Sequence, residues 1–283
     1  MATGIKSITK ELKSRRKALL SRYNDEDLHQ LRVNIRKLRA LLKHYPDPGA
    51  VKFRKKWGRL AQATNAARDW DTFVIYTEMT LPPAEWKTLE PLLHRYRDSA
   101  REQVLDSLQS SDWDLALKSW KHFLQRADHD ALEEDAANGS APKAALRALR
   151  ASRRALSWED EGSWHSFRIA VKNLRYTLDH STPLIGAPRQ QLKDTRRLCK
   201  RLQNELGDWH DTVVHRNLLT CLAEDPAVVN DSALTTALDT LGAAIRRRGA
   251  DRLLRVKAIL DHQGWLLSAA AGEPAKEDTD RPS

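Results

Sequence analysis

Cysteine is nearly absent from this 283-residue chain: only Cys199 and Cys221 occur, and neither belongs to a CxxC pair. Two such residues cannot build a disulfide framework or a thiolate zinc site, and the usage fits a reducing cytoplasm. No stretch approaches the roughly 18 consecutive apolar residues that a membrane-spanning helix needs. The first ten residues hold no apolar segment ahead of a small-residue cleavage site, so no secretory signal is expected. Strand-like alternation flanked by turn signals is missing. Walker A, G-x-S-x-G, HExxH and protein-kinase signatures are also missing, and no nucleophile has a base beside it. These absences leave no catalytic residue and no cofactor to expect. Carboxylates, finally, are missing from one place: no Asp or Glu lies between Asp27 and Asp47.

What is present is positive charge. The chain carries 48 Lys and Arg against 38 Asp and Glu, a net charge of +10, with 41% apolar residues. That apolar share is enough for a core. The charge is uneven. Asp128 to Asp135 holds five acidic residues and no Lys or Arg, and the tail from Glu273 has a net charge of −2. Setting both aside leaves +17 on the rest of the chain. A field of that size speaks about partners, and the partner it favours is a polyanion.

The apolar period is helical nearly throughout, as at Leu28, Leu31, Ile35, Leu38 and Leu42. Breaks fall at Pro46–Gly49, Pro82–Pro83, Asn138–Ser140, Gly186–Pro188 and Asp225–Pro226. Asn24–Glu26 and Asp160–Ser163 have side chains able to accept from free helix N–H groups, and read as helix starts. An internal repeat organises the pattern. LHQLRVNIRKLRALLKHYP begins at Leu28 and WHSFRIAVKNLRYTLDHSTP at Trp164. At an offset of 136, His29, Arg32, Arg36 and Arg39 match His165, Arg168, Lys172 and Arg175. At an offset of 142, Arg54-Lys55 falls on Arg196-Arg197, Arg59-Leu60 on Arg201-Leu202, and Asp69 on Asp211. The sequence therefore predicts an all-α fold built by duplication. The first helical-bundle repeat would span 1–127 and an acidic linker 128–141. The second repeat would span 142–270 and a disordered tail 271–283.

On a helix advancing 100° per residue, His29, Arg32, Arg36, Arg39 and Lys43 share a face roughly 80° wide. Leu31, Ile35, Leu38 and Leu42 gather on the opposite side, at about 180–240°. Like charges three and four residues apart repel by a few tenths of a kcal/mol (~0.2–0.5) per pair. A self-repelling stripe, built twice, points to an external anion that relieves it. The stripes favour Arg, whose planar fork fits phosphate oxygens bidentately. A following helix in each half adds Arg54, Lys55 and Arg59, then Arg196, Arg197, Lys200 and Arg201, as expected walls of a basic groove. The copies differ at one end, where Asp179 stands in place of Lys43. The first stripe is therefore expected to hold an anion over a longer track.

His29 and His165 each open a stripe, and an anion beside them would raise their pKa and favour a donor role. A cationic neighbourhood opposes metal binding, so no metal site is expected. Asp69, Asp71, Asp208 and Asp211 read as capping and ion-pairing groups in preference to magnesium ligands. Trp70, Trp113, Trp164, Trp209 and Trp265 read as core in preference to stacking platforms for bases.

Taken together, LHQLRVNIRKLR, WHSFRIAVKNLRY, ARDWD near Ala67 and LQNELGDWHD near Leu202 resemble the signatures of the CHAD family, the conserved histidine α-helical domain. The resemblance runs from about Lys6 to Trp265. It implies two four-helix bundles related by a pseudo-two-fold axis and non-catalytic binding of inorganic polyphosphate, with family members found at polyphosphate granules. The implied ligand residues are His29, Arg32, Arg36, Arg39, Arg54 and Arg59, then His165, Arg168, Lys172, Arg175, Arg196 and Arg201. Many relatives carry a fused triphosphate-tunnel enzyme domain, for which this sequence has no room, so a stand-alone binder is the expectation. Two alternatives stay open: non-specific nucleic-acid binding through phosphates, and a magnesium-dependent phosphoanhydride enzyme. The sequence does not give an oligomeric state.

Overall fold

The computed structural model describes residues 2–42, 47–126, 140–180 and 189–263. The expected acidic linker, almost entirely, and the expected tail lie outside these, as do Lys43 and Trp265. Among the described residues there are eleven α-helices and no strand. They are α1 (Ala2–Ser21), α2 (Asp25–Leu42), α3 (Pro48–Gln62), α4 (Asn65–Thr80), α5 (Pro83–Gln109), α6 (Ser111–Arg126), α7 (Ser140–Arg154), α8 (Glu161–His180), α9 (Arg189–Ala223), α10 (Pro226–Val229) and α11 (Ser232–Gln263). The all-α expectation holds, and among the described residues no helix is long and apolar enough to cross a membrane.

Helix starts follow from side-chain oxygens placed against otherwise unpaired backbone N–H groups. Asn24 Oδ1 accepts from the N–H groups of Glu26 and Asp27 at 2.9 and 3.2 Å, opening α2. Asp160 accepts from Gly162 and Ser163 at 2.8 and 3.2 Å, opening α8. Asp225 accepts from Ala227 at 2.9 Å, ahead of α10. Asp47 caps α3 in the same way.

The chain forms two compact units, and neither is contiguous in sequence. The first comprises 1–135 and 215–244, the second 136–214 and 245–283. The boundaries at 214/215 and 244/245 fall inside α9 and α11, so compact units and sequence repeats do not coincide. In the first unit α2 packs on α1 and α3, and α3 packs on α6. Its core is aromatic. Trp57 meets Trp113 and Trp120, each with ring centroids 6.1 Å apart, and the indole N–H of Trp120 donates to Thr9 Oγ1 at 2.9 Å. In the second unit α7 packs on α8. Its core is Leu146, Leu149, Trp164, Phe167, Val171, Leu174, Leu202, Leu206, Trp209 and Val256, among others. Trp70, Trp113, Trp164 and Trp209 are all buried, as expected of core residues.

A candidate anion-binding face

Both stripe helices expose cations because both bury the opposite face. Leu28, Leu31, Ile35, Leu38 and Leu42 of α2 are sealed in the core, and Arg36 and Arg39 are exposed. Trp164, Phe167, Val171, Leu174 and Leu178 of α8 are buried, while His165 is exposed and Arg168, Lys172 and Arg175 are half-buried. A fully buried Leu or Ile contributes about 1.5–3 kcal/mol, so this packing fixes the rotation of each stripe far more firmly than charge repulsion opposes it.

In the first unit α4 completes the site. His29, Arg32, Arg36 and Arg68 interact electrostatically as one group. Burial pushes the His29 imidazole below its ordinary value; Arg68, Arg36 and Arg32 add to the effect, against the opposing charge of Glu26. Burial likewise lowers the Arg32 guanidinium, with Arg36 and Arg68 assisting and Asp69 opposing. Arg32 has an architectural task as well. Its Nη1 donates to Ala61 O at 3.2 Å, Thr64 Oγ1 at 2.7 Å and Asn65 Oδ1 at 2.8 Å, binding α2 to the corner between α3 and α4. Arg39 lies over Gly58 of α3: a Cβ built there would meet its guanidinium carbon and Nη2 at 3.3 Å. The expected adjacency of the first stripe and its following helix is therefore met. On that helix Arg54 is half-buried, and Lys55 and Arg59 are exposed.

The second unit repeats the plan with a different residue. His210 of α9 lies beside His165, ring centroids 5.4 Å apart. Its pKa is pushed down to about 4, first by burial and then by Arg168, His165 and Lys172. A neutral imidazole surrounded by cations results. Lys172 and Arg175 flank the Tyr176 ring, at 5.9 and 5.4 Å from its centroid. Arg196 Nη2 donates to Leu178 O and so joins α9 to the end of α8. The rest of the expected wall is less uniform. Arg197 and Lys200 are exposed, with Arg197 3.5 Å from Asp194. Arg201 Nη1 donates to Gln263 Oε1 of α11 at 2.8 Å. Nine residues on a helix is about half a turn of azimuth, so Arg201 faces away from His210.

Arg68 and His210 were not among the expected site residues. Yet they stand 142 residues apart, the offset that already relates Asp69 to Asp211. Two of the weighed carboxylates, Asp71 and Asp208, have ion-pair partners. Asp71 is buried, paired with Arg101 at 2.6 Å, and accepts from the Tyr23 hydroxyl at 2.7 Å. Burial and the Asp71 carboxylate push the Tyr23 phenol up. Asp208 pairs with Arg252 at 3.0 Å.

Comparison with known proteins agrees with this architecture. Residues 4–220 match the CHAD domain family model. Among curated proteins no relative is found. The fold is similar to the crystal structure of the CHAD domain from the plant Ricinus communis, at a TM-score of 0.72 and 21% identity over 94% of this chain and 89% of that one. It is also similar to PptA from Streptomyces chartreusis, at a TM-score of 0.65 and 15% identity over 92% of this chain and 97% of that one. With the family match covering most of its length, the chain belongs to the CHAD domain family.

Proposed function

We propose that the protein binds inorganic polyphosphate without catalysis, and that this binding directs it to polyphosphate granules in the cytoplasm. The observation that carries the reading is the pair of matched clusters, His29, Arg32, Arg36 and Arg68 in one unit and His165, Arg168, Lys172 and His210 in the other. Each places a neutral imidazole among cations. That arrangement is costly without a ligand and favourable with an anion beside it. Polyphosphate is a string of anionic groups with no bases, so it needs a track of cations and no base-reading groups. Membership of the CHAD domain family, whose members associate with polyphosphate, supports the same reading.

The test is a pull-down on immobilised long-chain polyphosphate with the variant Arg36→Glu/Lys172→Glu. Arg36 is exposed and Lys172 half-buried, and neither belongs to the apolar core, so helix content by circular dichroism should be unchanged while capture is lost. Duplex DNA at equal phosphate concentration should fail to displace bound polyphosphate, and incubation with magnesium should release no phosphate. Capture of the variant at wild-type strength would overturn the site.

A further inference from the structure

In the first unit, α5 and the corner between α9 and α10 form a groove of about 510 Å³, within the roughly 300–1,000 Å³ range usual for small-molecule sites. Arg95, Tyr96 and Ser99 line it from α5, and Asp225, Pro226 and Ala227 from the corner. None of these belongs to the stripes, their expected walls or the matched clusters. Asp225 is buried and anchors the rest. Its Oδ2 accepts from Arg95 Nη2 at 2.5 Å and from the Tyr96 hydroxyl at 2.8 Å, and its Oδ1 accepts from the Ala227 N–H at 2.9 Å. The Ala227 N–H and the Tyr96 hydroxyl hold the Asp225 carboxyl below its ordinary value, so its pair with Arg95 stays charged. Trp70 stacks on the Tyr96 ring with centroids 5.0 Å apart, and the Arg95 guanidinium lies 5.5 Å from that same ring centroid.

The guanidinium is thus held without being used up. Asp225 engages Nη2 alone, Nε and Nη1 have no partner among the described residues, and the side chain is 60% exposed. A guanidinium already fixed by a carboxylate and an aromatic ring loses little rotamer freedom on gripping a ligand. Ser99, one helical turn further on, presents a hydroxyl with no partner among the described residues. Pro226 and Ala227 add apolar wall. Charge then selects the anion. No second Lys or Arg lines the groove. Exposed Glu102 stands seven residues beyond Arg95, within about 20° on the same helix face. A phosphate chain would meet one cation, already facing Asp225, and a second carboxylate nearby. A planar monoanion needs only one edge of one guanidinium, and a carboxylate matches that edge.

We propose that this groove binds a small organic monocarboxylate with an apolar body. Arg95 takes the carboxylate, Ser99 donates to it, and Pro226 and Ala227 cover the hydrocarbon. Asp225 and Tyr96 are positioning residues that hold the guanidinium in place. The site shares no residue with the stripe face, so it stands independently of polyphosphate binding.

The experiment follows benzoate binding to the full chain by ligand-observed NMR, with benzamide as the uncharged isostere. Wild type should bind benzoate in the millimolar range, as one fork and a small apolar contact allow. Benzamide should bind at least about tenfold more weakly, the effect of losing charge-assisted hydrogen bonds. Arg95→Lys keeps a cation opposite Asp225 but removes the planar fork, and should weaken benzoate by about tenfold. Ser99→Leu fills the groove while leaving the contacts of Asp225 in place, and should abolish benzoate binding. Ser99 and Arg95 are both exposed, so both variants should keep wild-type helix content and wild-type capture on long-chain polyphosphate. Arg36→Glu/Lys172→Glu should bind benzoate as wild type does. No benzoate binding by wild type, equal binding of benzamide, wild-type benzoate affinity in either groove variant, or loss of benzoate in the stripe variant would each overturn the proposal.

Discussion

His210 holds the clearest physical signature in the molecule. In solution an imidazole is half protonated near pH 6.5; here burial and three cationic or titratable neighbours hold it down to about 4. A phosphate oxygen beside them would offset the neighbouring positive charges, so binding should draw a proton onto His210, and onto His29 by the same logic. Polyphosphate affinity is expected to rise as the pH falls from 8 to 6. Calorimetry at pH 6.5 in buffers of unequal ionisation enthalpy should register net proton uptake, smaller in His210→Gln. Equal heats in all buffers would remove the coupling. Stability runs the other way. Unfolded His210 takes a proton near pH 6.5, whereas the native residue resists until about 4. The unfolded state binds more protons in that window, so this group's contribution is complete above about pH 6.5 and is lost as pH falls toward 4. Arg32 separates structure from binding at the same scale. Its Nη1 satisfies three acceptors, so Arg32→Ala should cost about 1–3 kcal/mol in urea unfolding. The exposed Arg36→Ala should fall within about 0.5 kcal/mol of wild type.

At the scale of the helix, α3 carries a glycine in its interior that the stripe beside it exploits. Gly58 leaves room for Arg39 to lie against the backbone. Alanine there would gain about 0.5–1 kcal/mol of helix stability, and its Cβ would meet only the far end of a flexible side chain. Gly58→Ala should therefore raise the urea midpoint and weaken polyphosphate capture by displacing Arg39. A loss of stability would show that Arg39 cannot move. The stripes themselves were legible in sequence, because a five-residue apolar face leaves the rotation of α2 and α8 no freedom. The second helices were less so. Arg59 and Arg201 matched in the repeat, but charge counting did not ask which way each pointed, and Arg201 points to α11. Arg68 and His210 occupied matched positions with unlike side chains, which hid their equivalence. The unit boundaries inside α9 and α11 are not marked by a turn, since the backbone stays helical through them.

For the whole molecule, the question is whether binding follows the net charge or the placement of a few cations. A net charge of +10 raises the local concentration of any polyanion. Specific contact instead releases counterions in proportion to the phosphates neutralised. By analogy with single-stranded nucleic acid, the logarithm of affinity falls with that of salt at about −0.7 per contact. Five contacts would then cost about 10²-fold between 50 and 200 mM salt. Two variants of equal charge separate the explanations. Arg36→Glu/Lys172→Glu and Lys87→Glu/Lys118→Glu each lower the net charge by four. The second pair sits on α5 and α6, exposed and outside the matched clusters. If placement governs, the first pair should flatten the salt dependence by about one contact or more per residue replaced. The second should reduce affinity at 50 mM salt yet keep the wild-type slope. The same slope change in both would mean that the long-range field, and not the two clusters, holds the polyanion.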